Sequence, residues 1–120
     1  MSEPLNLTVS LRGTRELHKK YQIIRLTGLL DAFSESTLRK VLGECVETDS
    51  PNLVLDLSKI DNVDSSGLGA LVQIYKKATE NKGSLQIVTN LRVTQTVKLA
   101  RLDKFFTLHP SLEAAIAASS

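Results

Sequence analysis

The segment Asn62 to Leu71, NVDSSGLGAL, sets a carboxylate, two hydroxyls and two glycines side by side. Several chemistries use such residues, and spacing separates them. A dinucleotide-binding loop built on Gly67 and Gly69 needs Gly or Ala at its third glycine position, where this chain has Val72. A phosphate-binding GxxxxGK[ST] loop is absent. A hydrolase nucleophile elbow, G-x-S-x-G, needs glycine two places before its serine, and Val63 and Asp64 stand there for Ser65 and Ser66. The histidines, His18 and His109, are far from the serines in sequence, and with Cys45 they have no metal-ligand spacing. Helix capping fits better, because Asp64 and Ser65 can accept hydrogen bonds from the free N–H groups of a first turn. Capping does not explain two glycines in that turn, each costing ~1 kcal/mol relative to Ala. They lower the steric wall around Ser65 and allow another backbone to come close, as suits a serine that enters a partner's active site.

The elements that must position this segment follow from periodicity. Leu5, Leu7, Val9 and Leu11 alternate with polar residues and predict a strand, with a turn at Gly13 and the polar residues after it. Tyr21 to Leu26 predicts a second strand ending at Gly28 and antiparallel to the first. Leu38, Val41, Leu42 and Cys45 recur at helical spacing, with Ser34 as N-cap and Glu35 in the first turn, and Asp49 to Asn52 end that helix. Leu53 to Leu57 reads as a central strand covered on both faces, followed by a loop from Ser58 to Asp64. Ser65 then stands at the cap position of a helix beginning near Ser66, with Leu68, Leu71, Val72, Tyr75 and Ala78 as its apolar stripe and Gly83 as its terminator. A strand at Leu85–Val88, a helix at Val93–Leu102, a strand at Phe105–Leu108 and a helix at Pro110–Ala118 complete the order. The expectation is one α/β domain over residues 1–120: a mixed sheet with an antiparallel start, parallel βαβ units after it, and about four helices. In such sheets function gathers where the central strands end, which is where Ser65 falls.

Composition narrows the partners. A chain of 120 residues with 42% hydrophobic content supports one core. A formal charge of +2, no Trp, three Phe and two Tyr make neither a nucleic-acid footprint nor a base-stacking platform. Arg12, Arg15, Lys19 and Lys20 read as a solvated face, as do the lysines and arginines from Lys76 to Arg101. Cys45 lies in an apolar helical stripe and reads as a buried structural thiol. The start MSEPLNLTV is not a leader, and no apolar run approaches the ~18 residues that span a bilayer, so a cytoplasmic protein without a membrane partner is expected.

Val63 to Gly69, VDSSGLG, preceded by LVLDLSKI and followed by a helix ending near NKGSLQIV, resembles the signature of the STAS domain, most closely that of bacterial anti-sigma factor antagonists. Leu26 to Asp31, LTGLLD, resembles the same family's motif of Gly, an acid, an apolar residue and Asp, except that Leu29 stands where the acid is common. The segment GTRELHKKYQ is also longer and more basic than in the smallest members. The resemblance implies a non-enzymatic switch without cofactor or metal. Ser65 would be phosphorylated by an anti-sigma factor that is itself a serine kinase of the histidine-kinase ATPase fold. A PP2C-type serine phosphatase would remove the phosphate. Gly28, Asp31, Asp64, Ser65, Ser66, Gly67 and Leu68 would form the partner-binding surface, with Ser66 engaged inside the first turn and Ser65 projecting. The alternative is a STAS module serving a larger assembly as a structural or small-ligand-sensing part, without phosphorylation; a third is an enzyme of another kind.

Overall fold

The computed structural model describes residues 2–119. The chain forms β1 (Ser2–Leu5), β2 (Leu11–Leu17), β3 (Gln22–Leu30), α1 (Glu35–Thr48), β4 (Asn52–Val63), α2 (Ser65–Glu80), β5 (Ser84–Val88), α3 (Leu91–Leu99), β6 (Thr107–His109) and α4 (Leu112–Ser119). The strands lie in the order β1-β2-β3-β4-β5-β6 in one sheet. The first two pairings are antiparallel and the remaining three parallel, so the expected mixed α/β class holds.

The first third of the chain departs from the expectation. The alternating run from Leu5 to Leu11 is not one strand: Thr8 and Leu11 bond each other through both backbone groups, N to O at 3.2 and 3.4 Å, and close a turn that leaves Val9 wholly exposed. Gly13 is no turn residue. It sits inside β2, opposite Leu5 on one side and Leu26 on the other. The reversal comes later, where His18 N–H donates to Tyr21 O at 3.0 Å and Lys19 and Lys20 form the tip. Most of the basic segment is therefore strand. Within it Arg15 is not solvated: its side chain is only 19% exposed, and it bonds the Glu3 carboxylate, Asp49 at 2.9 Å and Cys45 Sγ at 3.6 Å. One guanidinium thus ties β1 and β2 to the end of α1.

The expected loop from Ser58 to Asp64 is also strand. β4 runs through to Val63 and stays paired with β3 by taking up two register shifts, one between the partners of Arg25 and Thr27 and one between those of Gly28 and Leu29. Its other edge loses β5 after the Asp56–Val88 pair. There the Asn90 side-chain amide donates to the carbonyls of Leu57, Ser58 and Ile60 at 3.4, 3.1 and 3.0 Å, and Arg92 Nη1 donates to Asp61 O at 2.9 Å. Side chains from the start of α3 replace the missing strand.

Period-2 alternation divides the sheet between two layers. Ile24, Leu26, Leu53, Leu55 and Leu57 pack with Leu38, Leu42 and Cys45 of α1 and with Leu71, Ile74 and Ala78 of α2. On the opposite face Ile23, Val54 and Val88 lie under Ala115, Leu112 and Ile116 of α4. α2 ends at Glu80; Gly83 N–H closes onto Ala78 O at 2.7 Å, while the left-handed residue is Lys82, φ 63°. α3, β6 and α4 each differ from the predicted bounds by a few residues.

Candidate functional site

At the end of β4 the chain turns into α2 on Asp64, whose extended backbone (φ −99°, ψ −174°) makes it the N-cap in place of Ser65. Its Oδ1 accepts from Gly67 N–H at 2.9 Å and its backbone carbonyl from Leu68 N–H at 2.9 Å. Its own N–H donates to Leu30 O at 3.0 Å, which stitches the start of α2 to the end of β3. Ser65 is therefore the first helical residue, and it is exposed; Ser66 is half-buried. Neither hydroxyl hydrogen-bonds another described residue, so burial distinguishes the two serines and local engagement of Ser66 does not.

The first turn of α2 can approach β3 only because residue 67 has no side chain. A Cβ there would lie 2.8 Å from Leu30 Cβ and closer still to the Leu30 carbonyl oxygen. The backbone that Gly67 admits belongs to this chain, whereas Gly69 faces open space. Leu68 is 8% exposed and its side chain belongs to the core. What the loop presents is Asp64, Ser65 and Ser66 over a buried Gly67–Leu68 floor.

The second motif joins the same surface. Gly28 has φ 117°, and a Cβ on it would collide with the Ser10 carbonyl. Beside it, Leu29 N–H donates to Ser10 O at 2.9 Å, seating the turn between β1 and β2 against β3. Asp31 spends its carboxylate on its own turn, with Oδ1 accepting from the N–H groups of Phe33 and Ser34 at 3.1 Å each. Ser34, expected to cap α1 by its side chain, makes no such cap. Its buried hydroxyl donates back to Leu29 O at 3.0 Å, and Asp31 organises the helix start instead. Gly28 and Leu29 thus shape the surface through backbone and Asp31 through its carboxylate, while half-buried Leu29 brings no charge to it.

These contacts link residues 9–10, 28–31 and 63–67 into one end of the sheet, where the parallel strands terminate. Val9, 100% exposed, and Phe33, 87% exposed, add apolar area to those segments. Sequence reasoning missed both: Val9 sits in an alternation that points inward, and Phe33 lies between motif and helix without a period of its own. Asn90 was also missed, although an Asn immediately before a helical run is a capping signal, and its Oδ1 does accept from Val93 N–H at 2.8 Å. The histidines are engaged elsewhere. His18 stacks on Tyr21 at 4.7 Å between ring centroids with Nε2 2.8 Å from Glu16 Oε1, and His109 Nε2 lies 2.7 Å from Gln86 Oε1. The exposed Ser65 hydroxyl stands at the start of α2, where first-turn N–H groups and the positive end of the helix dipole tolerate an anion.

Comparison with known proteins agrees with this geometry. The family model described as the STAS domain matches residues 14–115. The anti-sigma-F factor antagonist RsfB of Mycobacterium tuberculosis is 26% identical over 116 residues, 97% of this chain and 92% of that one. The crystal structure of an anti-sigma factor antagonist from Mycobacterium paratuberculosis superposes with a TM-score of 0.82 at 29% identity, covering 92% of this chain and 94% of that one. The Bacillus cell fate determinant SpoIIAA, solved in its phosphorylated form, shares the fold with a TM-score of 0.69 at 16% identity, covering 90% and 99% of the two chains.

Proposed function

This chain belongs to the STAS domain family, and from that membership we propose that it is an anti-sigma factor antagonist working as a phosphorylation-controlled partner switch. It acts as one domain over residues 1–120, in the cytoplasm, and is a substrate of enzymes rather than an enzyme. Unphosphorylated, it binds an anti-sigma factor that is also a serine kinase and so releases the sigma factor. The observation that supports Ser65 as the switch is its place: the exposed first residue of α2, beside an Asp64 whose carboxylate is turned onto Gly67 N–H.

In the forward step Ser65 Oγ attacks the γ-phosphorus of ATP held by the partner. The O–P bond forms, the bond to ADP breaks, and the hydroxyl proton passes to a base on the partner, which also supplies metal and nucleotide. A PP2C-type phosphatase reverses the modification by hydrolysis, returning the serine hydroxyl and inorganic phosphate. The phosphate adds about −1.5 to −2 charges where Asp64 already contributes one, on a surface that must meet the nucleotide site of the kinase. Repulsion and desolvation across such an interface cost ~3–5 kcal/mol, a weakening of roughly a hundred- to several-thousand-fold. Titration calorimetry of the kinase, with nucleotide present, against unmodified and stoichiometrically phosphorylated protein tests this. Tight binding of the first and a loss of that size in the second are expected; equal affinities would overturn the switch.

A further inference from the structure

The face of the sheet turned away from α1 and α2 is only partly covered. α4 lies over Ile23, Val54 and Val88, and the neighbouring stretch of β2, β3 and β4 is left open as a cleft of about 310 Å³ lined by Arg12, Thr14, Arg25, Thr27, Asp56 and Lys59, among others. The register makes two cross-strand rows of these side chains. Thr14 stands opposite Arg25 and Arg25 opposite Asp56; one step along, Arg12 stands opposite Thr27 and Thr27 opposite Lys59. The charged groups of the first row have partners outside it: Arg25 Nη1 pairs with Glu16 Oε2 at 2.9 Å, and Asp56 Oδ1 accepts from Ser58 N–H at 3.0 Å and Ser58 Oγ at 2.6 Å. Those of the second row do not. The side chains of Arg12 and Lys59 make no hydrogen bond or ion pair with any described residue. They flank the Thr27 hydroxyl from strands two spacings apart, about 10 Å between backbones, a distance their long side chains can close over one ligand.

We propose that Arg12, Thr27 and Lys59 form a binding site for a small polyanion whose charges are carried by phosphate or carboxylate oxygens. The volume is that of a small-molecule site rather than a protein groove. The planar guanidinium of Arg12 suits two oxygens of one group, the Lys59 ammonium supplies a second positive centre, and the Thr27 hydroxyl donates between them. The cleft has no aromatic wall, so the ligand is oxyanionic without a stacked ring. The site is independent of phosphorylation at Ser65, and so is its test.

Amide chemical shifts of the full chain are followed by NMR during titration with inorganic pyrophosphate in one arm and citrate in another, at constant ionic strength set with chloride. The expected result is saturable shifts centred on Arg12, Thr27 and Lys59 with a Kd of about 1 mM or tighter, weakened at least about tenfold in Arg12→Gln and in Lys59→Gln and unchanged in Lys40→Gln, an equal loss of charge on the exposed side of α1. The stronger arm identifies phosphate or carboxylate as the preferred group. Unshifted spectra in both arms, shifts centred elsewhere, or an equal weakening in Lys40→Gln would overturn the proposal. The spectra of the variants show directly whether each is folded.

Discussion

Gly67 and Gly69 lie two positions apart in one helical turn and meet opposite surroundings. Gly67→Ala drives a methyl into the Leu30 backbone, which must shift with the end of β3, and a cost of about 1–3 kcal/mol is expected in urea unfolding. Gly69→Ala meets nothing within 4 Å and should stabilise α2 by up to about 1 kcal/mol. The two serines divide in the same way. Phosphopeptide fragmentation should place the group on Ser65, incorporation should vanish in Ser65→Ala and persist in Ser66→Ala, and Ser65→Ala should bind the kinase constitutively. Phosphate found on Ser66 would reverse the assignment. Cys45 offers a check by pH. Burial raises its thiol above the usual range, against the opposing pull of Arg15. A group whose pKa is raised on folding contributes its stability below the unfolded value and loses it as pH climbs, because the unfolded chain gives up its proton first. Above about pH 8.5 stability should therefore fall with pH, and Cys45→Ala should flatten that part of the profile in urea unfolding.

Among elements, β4 depends most on a distant side chain. Asn90 caps α3 through Oδ1 and holds the carbonyls of Leu57, Ser58 and Ile60 through Nδ2, on the edge that β5 no longer covers. Asn90→Ala removes both functions and should cost about 2–3 kcal/mol, with faster amide exchange across residues 58–63, the stretch that delivers Ser65. Asn90→Asp keeps the cap but replaces the donors with a carboxylate facing carbonyl oxygens. If it proves as stable as the native chain, capping alone accounts for the residue and the clamp on β4 contributes nothing.

For the whole molecule, a phosphate on Ser65 pits the α2 dipole and free N–H groups against repulsion from Asp64, each on the order of a kcal/mol. The domain should stay folded and unfold cooperatively, its melting temperature moved by only a few degrees in calorimetry. A phosphoprotein that lost its cooperative transition would switch by melting instead. The Arg12–Lys59 cleft lies on the other sheet face from the α1–α2 layer, so the molecule presents two surfaces that can be tested separately.

Much of this was legible in sequence because it depends on short range. Periods of two and 3.6 mark which local face is apolar, and they predicted the α/β class, the antiparallel start, the parallel units and the place of DSSGLG at the mouth of the sheet. Cys45 in its helical stripe was legible for the same reason. Tertiary structure decided whatever depends on a partner far along the chain. β4 continues past Leu57 because β3 stays beside it and Asn90 stands in for β5, and no local pattern records either neighbour. β2 contains Gly13 and Arg15 because Leu5 and Leu26 pair with the one, and Glu3 and Asp49 hold the other. Asp64 rather than Ser65 is the cap because its N–H is already committed to Leu30 O, which sets where the helix begins. Arg12 and Lys59 are 47 positions apart by numbering and meet only through the register of two strands on Thr27. Hydrogen-bond partnership across strands is a long-range property, and an apolar period measures burial, not the partner that causes it.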